Sequence, residues 1–168
     1  MIYVENCRKK LADYEIKGAG RTKGLQLCSD LPKNYDLTLT KDYEYIRVER
    51  GTGLTMNNIL NLSKRSKEVI LDVSMFDSND LNTFLKYWLD HRIDRLKFLT
   101  IRMRWFEASI FNGIESRITE ATEKVNYKSY TGELYRLSPG KRLRRGDGVI
   151  ASFSYDNRTK TLNFGVVA

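Results

Sequence analysis

At 168 residues, 41% of them hydrophobic, the chain is long enough for one domain with a core of its own. No window approaches the ~20 apolar residues of a membrane span, and the N-terminus, MIYVENCRKKLADYE, meets charge too early for a secretory signal. These features predict a cytoplasmic or nuclear protein with Cys7 and Cys28 as reduced thiols, while a formal net charge of +8 raises nucleic acid or an acidic partner as ligands.

The first forty residues carry weak β signals at Ala12–Ile16 and Gly24–Cys28, separated by the glycine-rich GAGRTKG. That segment has neither the GxxxxGK[ST] spacing of a phosphate loop nor a GxGxxG opening a helix, so it reads as a flexible turn. Three β-rich runs follow, Tyr43–Val48, Glu68–Ser74 and Leu96–Arg102. Their apolar pairs Ile46/Val48, Leu71/Val73 and Leu99/Ile101 recur at offsets of 25 and then 28 residues. Between the first two runs, Met56, Ile59 and Leu60 of LTMNNILNL share one helical stripe. Between the second and third, Leu81, Phe84, Leu85, Trp88 and Leu89 fall at i, i+3, i+4, i+7 and i+8, the spacing of a helix facing a core. Asp77 or Ser78 serves as its N-cap, and His91 sits where the helix dipole favours a cation.

Strand and helix alternating at this period imply parallel strands joined by crossovers. The predicted fold class is α/β, a degenerate leucine-rich-repeat-like strand–helix stack with a C-terminal β-hairpin. The hairpin is formed by Val149–Tyr155 and Thr161–Val167 around the turn at Asp156-Asn157-Arg158. Glu107–Ile118 reads as a short helix with Ile110, Phe111 and Ile114 inward and Gly113 weakening it.

No catalytic chemistry emerges. His91 is the only histidine and has no nucleophile at a recognisable spacing, and neither thiol has the Cys-x-x-Cys or Cys/His spacing of a metal site. The expectation is a non-enzyme without cofactor or metal. Arg145-Gly146-Asp147 reads as a tight turn rather than an adhesion motif. The basic residues are dispersed, with Lys141, Arg142, Arg144 and Arg145 the one dense cluster, and no nucleic-acid-binding motif is present. Nucleic acid is therefore the secondary reading, to be favoured if that cluster forms one continuous stripe with Arg47 and Arg102.

Strand alternation locates a docking surface. If Ile46/Val48, Leu71/Val73 and Leu99/Ile101 face the helices, then Tyr45, Arg47, Ile70, Asp72, Phe98, Thr100 and Arg102 face the other way. Either that face is open and binds a partner, or the C-terminal hairpin covers it through Phe153 or Phe164.

Asn79, Asp80, Leu81, Asn82, Phe84, Leu85, Lys86 and Trp88, followed by Arg95, Leu96, Leu99 and Ile101, carry a resemblance. With Gly113-Ile114-Glu115 and Arg144-Arg145-x-Asp147-Gly148-x-x-Ala151, the chain resembles the nematode F-box associated domain, type 2, from about Lys41 to Val167. The resemblance implies residues 41–168 as an F-box associated-like domain and residues 1–40 as a β-rich extension without a clear F-box. It further implies a substrate-recruiting part of a ubiquitin ligase, with an unknown protein substrate as partner, and with the ligase adaptor as partner only through a diverged F-box.

Overall fold

The computed structural model describes residues 1–4, 22–28, 30–32, 35, 37–137 and 140–167. Cys7, the expected strand Ala12–Ile16 and most of the glycine-rich segment lie outside the described residues.

The strands are β1 (Ile2–Val4), β2 (Gly24–Leu27), β3 (Tyr43–Val48), β4 (Ser66–Leu71), β5 (Phe98–Arg102), β6 (Ile118–Ala121), β7 (Val125–Lys128), β8 (Leu134–Leu137), β9 (Gly140–Arg144), β10 (Ile150–Asp156) and β11 (Thr161–Val166). Nine of them form one sheet in the order β1-β2-β3-β4-β5-β11-β10-β9-β6. Strands β1 to β5 run parallel in chain order. Strands β11, β10, β9 and β6 continue the sheet in antiparallel fashion from β5. The fold is mixed α/β, and the expected hairpin β10–β11 is present as part of the main sheet.

Helices α1 (Met56–Arg65) and α2 (Ser78–Leu89) lie in the crossovers β3–β4 and β4–β5. Each begins with a reciprocal capping box, Thr55 with Asn58 and Asp77 with Asp80, so two orphan amides are satisfied at each start. Helix α2 ends in a Schellman arrangement: the His91 amide donates to Trp88 O at 3.2 Å and the Arg92 amide to Tyr87 O at 3.1 Å. His91 occupies the left-handed position at φ 58°, where His, like Asn and Asp, is enriched among non-glycine residues.

The main core lies between the helices and one face of the sheet. Leu81, Phe84, Leu85 and Trp88 of α2 are buried against Ile46, Val48, Val69, Leu71, Leu99 and Ile101, and Leu89 packs at the margin. Two details differ from expectation. The register pairs Ile46 with Val69 and Val48 with Leu71, not with Leu71 and Val73. Strand β4 ends at Leu71, and Val73 is exposed beyond it. The slip is two residues, so the assignment of faces survives. In addition, Glu107–Ile118 is not an α-helix but two 3-10 turns, Ala108–Phe111 and Glu115–Arg117. Gly113, at φ 75°, breaks the run between them. Ile110 and Ile114 still point inward.

Candidate docking surface

The face of the sheet opposite the helices is built in register rows. One row runs Tyr45, Glu68, Phe98, Gly165, Ser152, Arg142 across β3, β4, β5, β11, β10 and β9. The next runs Gln26, Arg47, Ile70, Thr100, Asn163, Ser154. A third places Arg102 beside Thr161, with Asp72 at the end of β4.

A two-stranded antiparallel hairpin, β7–β8, covers the first row. Tyr45, Ile70, Phe98 and Leu137 are its buried centre, flanked by Val125, Tyr127 and Tyr135. Tyr127 stacks on Phe98 with centroids 4.4 Å apart and planes 6° apart, and Tyr130 stacks on Tyr45 at 6.0 Å. Gly165 admits the hairpin, since a Cβ there would stand 2.6 Å from Leu137 Cδ1.

A buried carboxylate fastens the layers. Glu68 accepts from the Tyr127 hydroxyl at 2.8 Å and from the Tyr130 amide at 2.8 and 2.9 Å. Burial raises its pKa above the ordinary carboxylate range against these hydrogen bonds, which lower it. The Tyr127 hydroxyl is pushed up by burial and by its bond to Glu68.

The structure thus corrects both readings of this face. Tyr45, Ile70 and Phe98 are core residues and offer no surface to a partner. The cover is not the C-terminal hairpin: Phe153 and Phe164 lie in the main core, where Phe164 meets Phe84 edge-on at 5.5 Å and Trp88 at 5.3 Å. The signal for β7–β8 was present in VNYKSYTGELYRL, two alternating runs around a Gly-containing turn.

Arg47, Asp72 and Arg102 remain together beyond the hairpin, whereas Thr100, expected on the open face, is buried at 7% exposure between its neighbouring strands. Arg47 Nε donates to Asp72 Oδ2 at 2.6 Å, and that hydrogen bond raises the Arg47 pKa further. Thr100 Oγ1 donates to Asn163 Oδ1 at 2.9 Å. A groove of about 500 Å³ opens here, lined by Leu71, Asp72, Thr100, Arg102, Arg158, Thr159 and Thr161. Met75 and Trp105 are exposed at the same end of the sheet, with Arg104 5.2 Å over the Trp105 ring. Trp105, between Arg104 and Phe106, falls outside any apolar period of the sequence, and its one signal is a large aromatic next to an arginine.

The basic residues do not make a continuous stripe. Alternation along β9 sends Lys141 to the helix side, over Phe111, and Arg142 to the other face. Lys141 pairs with Glu120, Arg142 with Glu123, and Arg145 with Asp94 and Asp147. Arg102 and Arg142 are three strands and four register steps apart, roughly 20 Å, with the β7–β8 hairpin's Leu137 packed at Gly165 between them. Arg145 is 8% exposed and belongs to a tight turn closed by Arg145 N to Val149 O at 2.9 Å, as expected for that tripeptide. No helix among the described residues is long and apolar enough to cross a membrane.

Strands β3 and β4, most of β5 and both helices fall within one stretch of sequence that has known counterparts. Residues 34–101 match the family model described as F-box associated. The matched segment therefore contributes the Arg47–Asp72 side of the groove, while Arg102 and the β10–β11 turn lie just beyond it. No curated protein and no solved structure matches the chain.

Proposed function

We propose that the protein is a protein-interaction module, the substrate-recognition part of an F-box ubiquitin-ligase receptor or a remnant of one, acting by binding and not by catalysis. The F-box associated match over residues 34–101 carries this reading. A degenerate leucine-rich-repeat-like stack is the ancestry we infer for the parallel half. Its support is the order of β1 to β5 in the sheet and the placement of both helices on one face. The uncovered end of the opposite face is the proposed docking surface, because Arg102 and Arg158 line its groove and arginine is among the residue types that dominate interface hot spots. The nucleic-acid alternative loses support from the carboxylates interleaved with its basic residues.

Affinity purification of the tagged chain with quantitative mass spectrometry tests the reading. A direct partner protein is expected to co-purify; adaptor and cullin with it mark a ligase receptor acting through a diverged F-box, and their absence marks a remnant. Recovery of nucleic-acid-bound complexes sensitive to nuclease, with no adaptor and no direct partner, contradicts it.

A further inference from the structure

The groove at the uncovered end of the sheet has an unbalanced charge. Arg47 is satisfied by Asp72. Arg102 and Arg158 form no ion pair within 4.0 Å among the described residues, although every guanidinium of the β9 region has found a carboxylate except that of Arg144. The nearest acidic neighbour on β10, Asp156, accepts from the Arg158 amide at 2.8 Å and feels the Arg158 charge, so Arg47, Arg102 and Arg158 stand against Asp72 and Asp156, an excess of one positive charge. Thr159 and Thr161 add hydroxyls to the same wall, while Thr100, bonded to Asn163, lies buried behind them. Two unpaired arginines converging on one groove form a site for an anion, since Arg presents a planar fork matched to oxyanions.

We propose that this groove binds an extended acidic peptide segment of the partner, with an Asp or Glu carboxylate seated between Arg102 and Arg158. The inference rests on the interaction-module reading and specifies its partner chemistry. A carboxylate suits the groove better than a phosphate dianion, because the excess of arginines over the neighbouring carboxylates Asp72 and Asp156 is a single charge, which a monoanion balances and a dianion exceeds. The overall charge of +8 steers an acidic segment toward the protein.

The test is fluorescence anisotropy of the full chain with labelled, end-blocked hexapeptides in three matched series: Asp/Glu-rich, their Asn/Gln isosteres, and phosphoserine at the central position. The acidic series is expected to bind at least tenfold more tightly than its isosteres, and to weaken at least tenfold in Arg102→Ala/Arg158→Ala. Arg117→Ala, an exposed arginine on the far side of the 3-10 turns, is expected to match the wild type. Should the double variant fold poorly, the isostere comparison and the salt dependence of wild-type binding decide the matter alone. Equal binding of acidic and neutral peptides, preference for the phosphoserine series, or no binding overturns the inference. The interaction-module reading fails separately, by the absence of any co-purifying protein partner.

Discussion

Tyr127 lies flat on Phe98, 4.4 Å between centroids, and this contact decides which part of the sheet a partner can reach. Phe98 is fully buried between that ring and the strands. Phe98→Ala should cost about 3–5 kcal/mol and loosen β7–β8 before the main sheet. Urea unfolding gives the first quantity, and hydrogen exchange of the Tyr127 and Tyr135 amides, a hydrogen-bonded pair of the hairpin, gives the second. Unchanged protection of the hairpin in that variant would show that another contact holds it.

Glu68 and Asp147 should respond to pH in opposite senses. Burial raises the folded-state pKa of Glu68, so its contribution is complete below the ordinary carboxylate range and is lost as pH rises through the raised value. Relative to Glu68→Gln, the wild type should lose stability across that window, read as the difference in urea midpoints at pH 4 and pH 7. A difference constant with pH would contradict the assignment.

For Asp147, the hydrogen bonds from Arg145 lower the pKa to about 2. Its contribution is present above the ordinary Asp range and is lost as pH falls toward 2. Asp147→Asn should therefore flatten the acid limb of the stability profile, measured by thermal melts between pH 4 and pH 2. An acid limb identical to that of the wild type would count against the Arg145–Asp147 pair.

Trp88 is the centre of the main core, 1% exposed, in edge contact with Phe164 and beneath the Arg145 guanidinium at 5.2 Å. Trp88→Ala should cost about 3–5 kcal/mol. It also strips Arg145 of its aromatic support, so the turn from Arg145 to Val149 should gain mobility by NMR relaxation. A soluble, cooperatively unfolding variant of wild-type stability would refute the assignment.

The helix–strand half was legible because burial of one face imposes a period: 3.6 for Leu81, Phe84, Leu85 and Trp88, and 2 for Ile46/Val48 and Leu99/Ile101. The two-residue slip at β4 escaped because Leu71 and Val73 keep the same parity, and only pairing distinguishes them. Asn82 was legible as a motif residue but not as a clamp. Its amide donates to Ile110 O at 2.8 Å and Asn112 O at 3.0 Å, and both acceptors lie some thirty residues away. The second core was missed for a related reason. Tyr127, Tyr135 and Leu137 alternate as a strand does, but their partners Phe98 and Gly165 are set by tertiary pairing. That Arg47, Asp72, Thr100 and Arg102 share one face is legible from alternation alone.

The central claim is that a protein partner docks on the uncovered end of that face. Site-specific photo-crosslinking tests it most directly, with benzoylphenylalanine in place of Thr159 in the groove wall or in place of Ser116 near the 3-10 turns. The account predicts a partner adduct from position 159, abolished by Arg102→Glu in a chain whose melt is unchanged, and none from position 116. An adduct from position 116 alone, or one from position 159 that persists undiminished in Arg102→Glu, would contradict it.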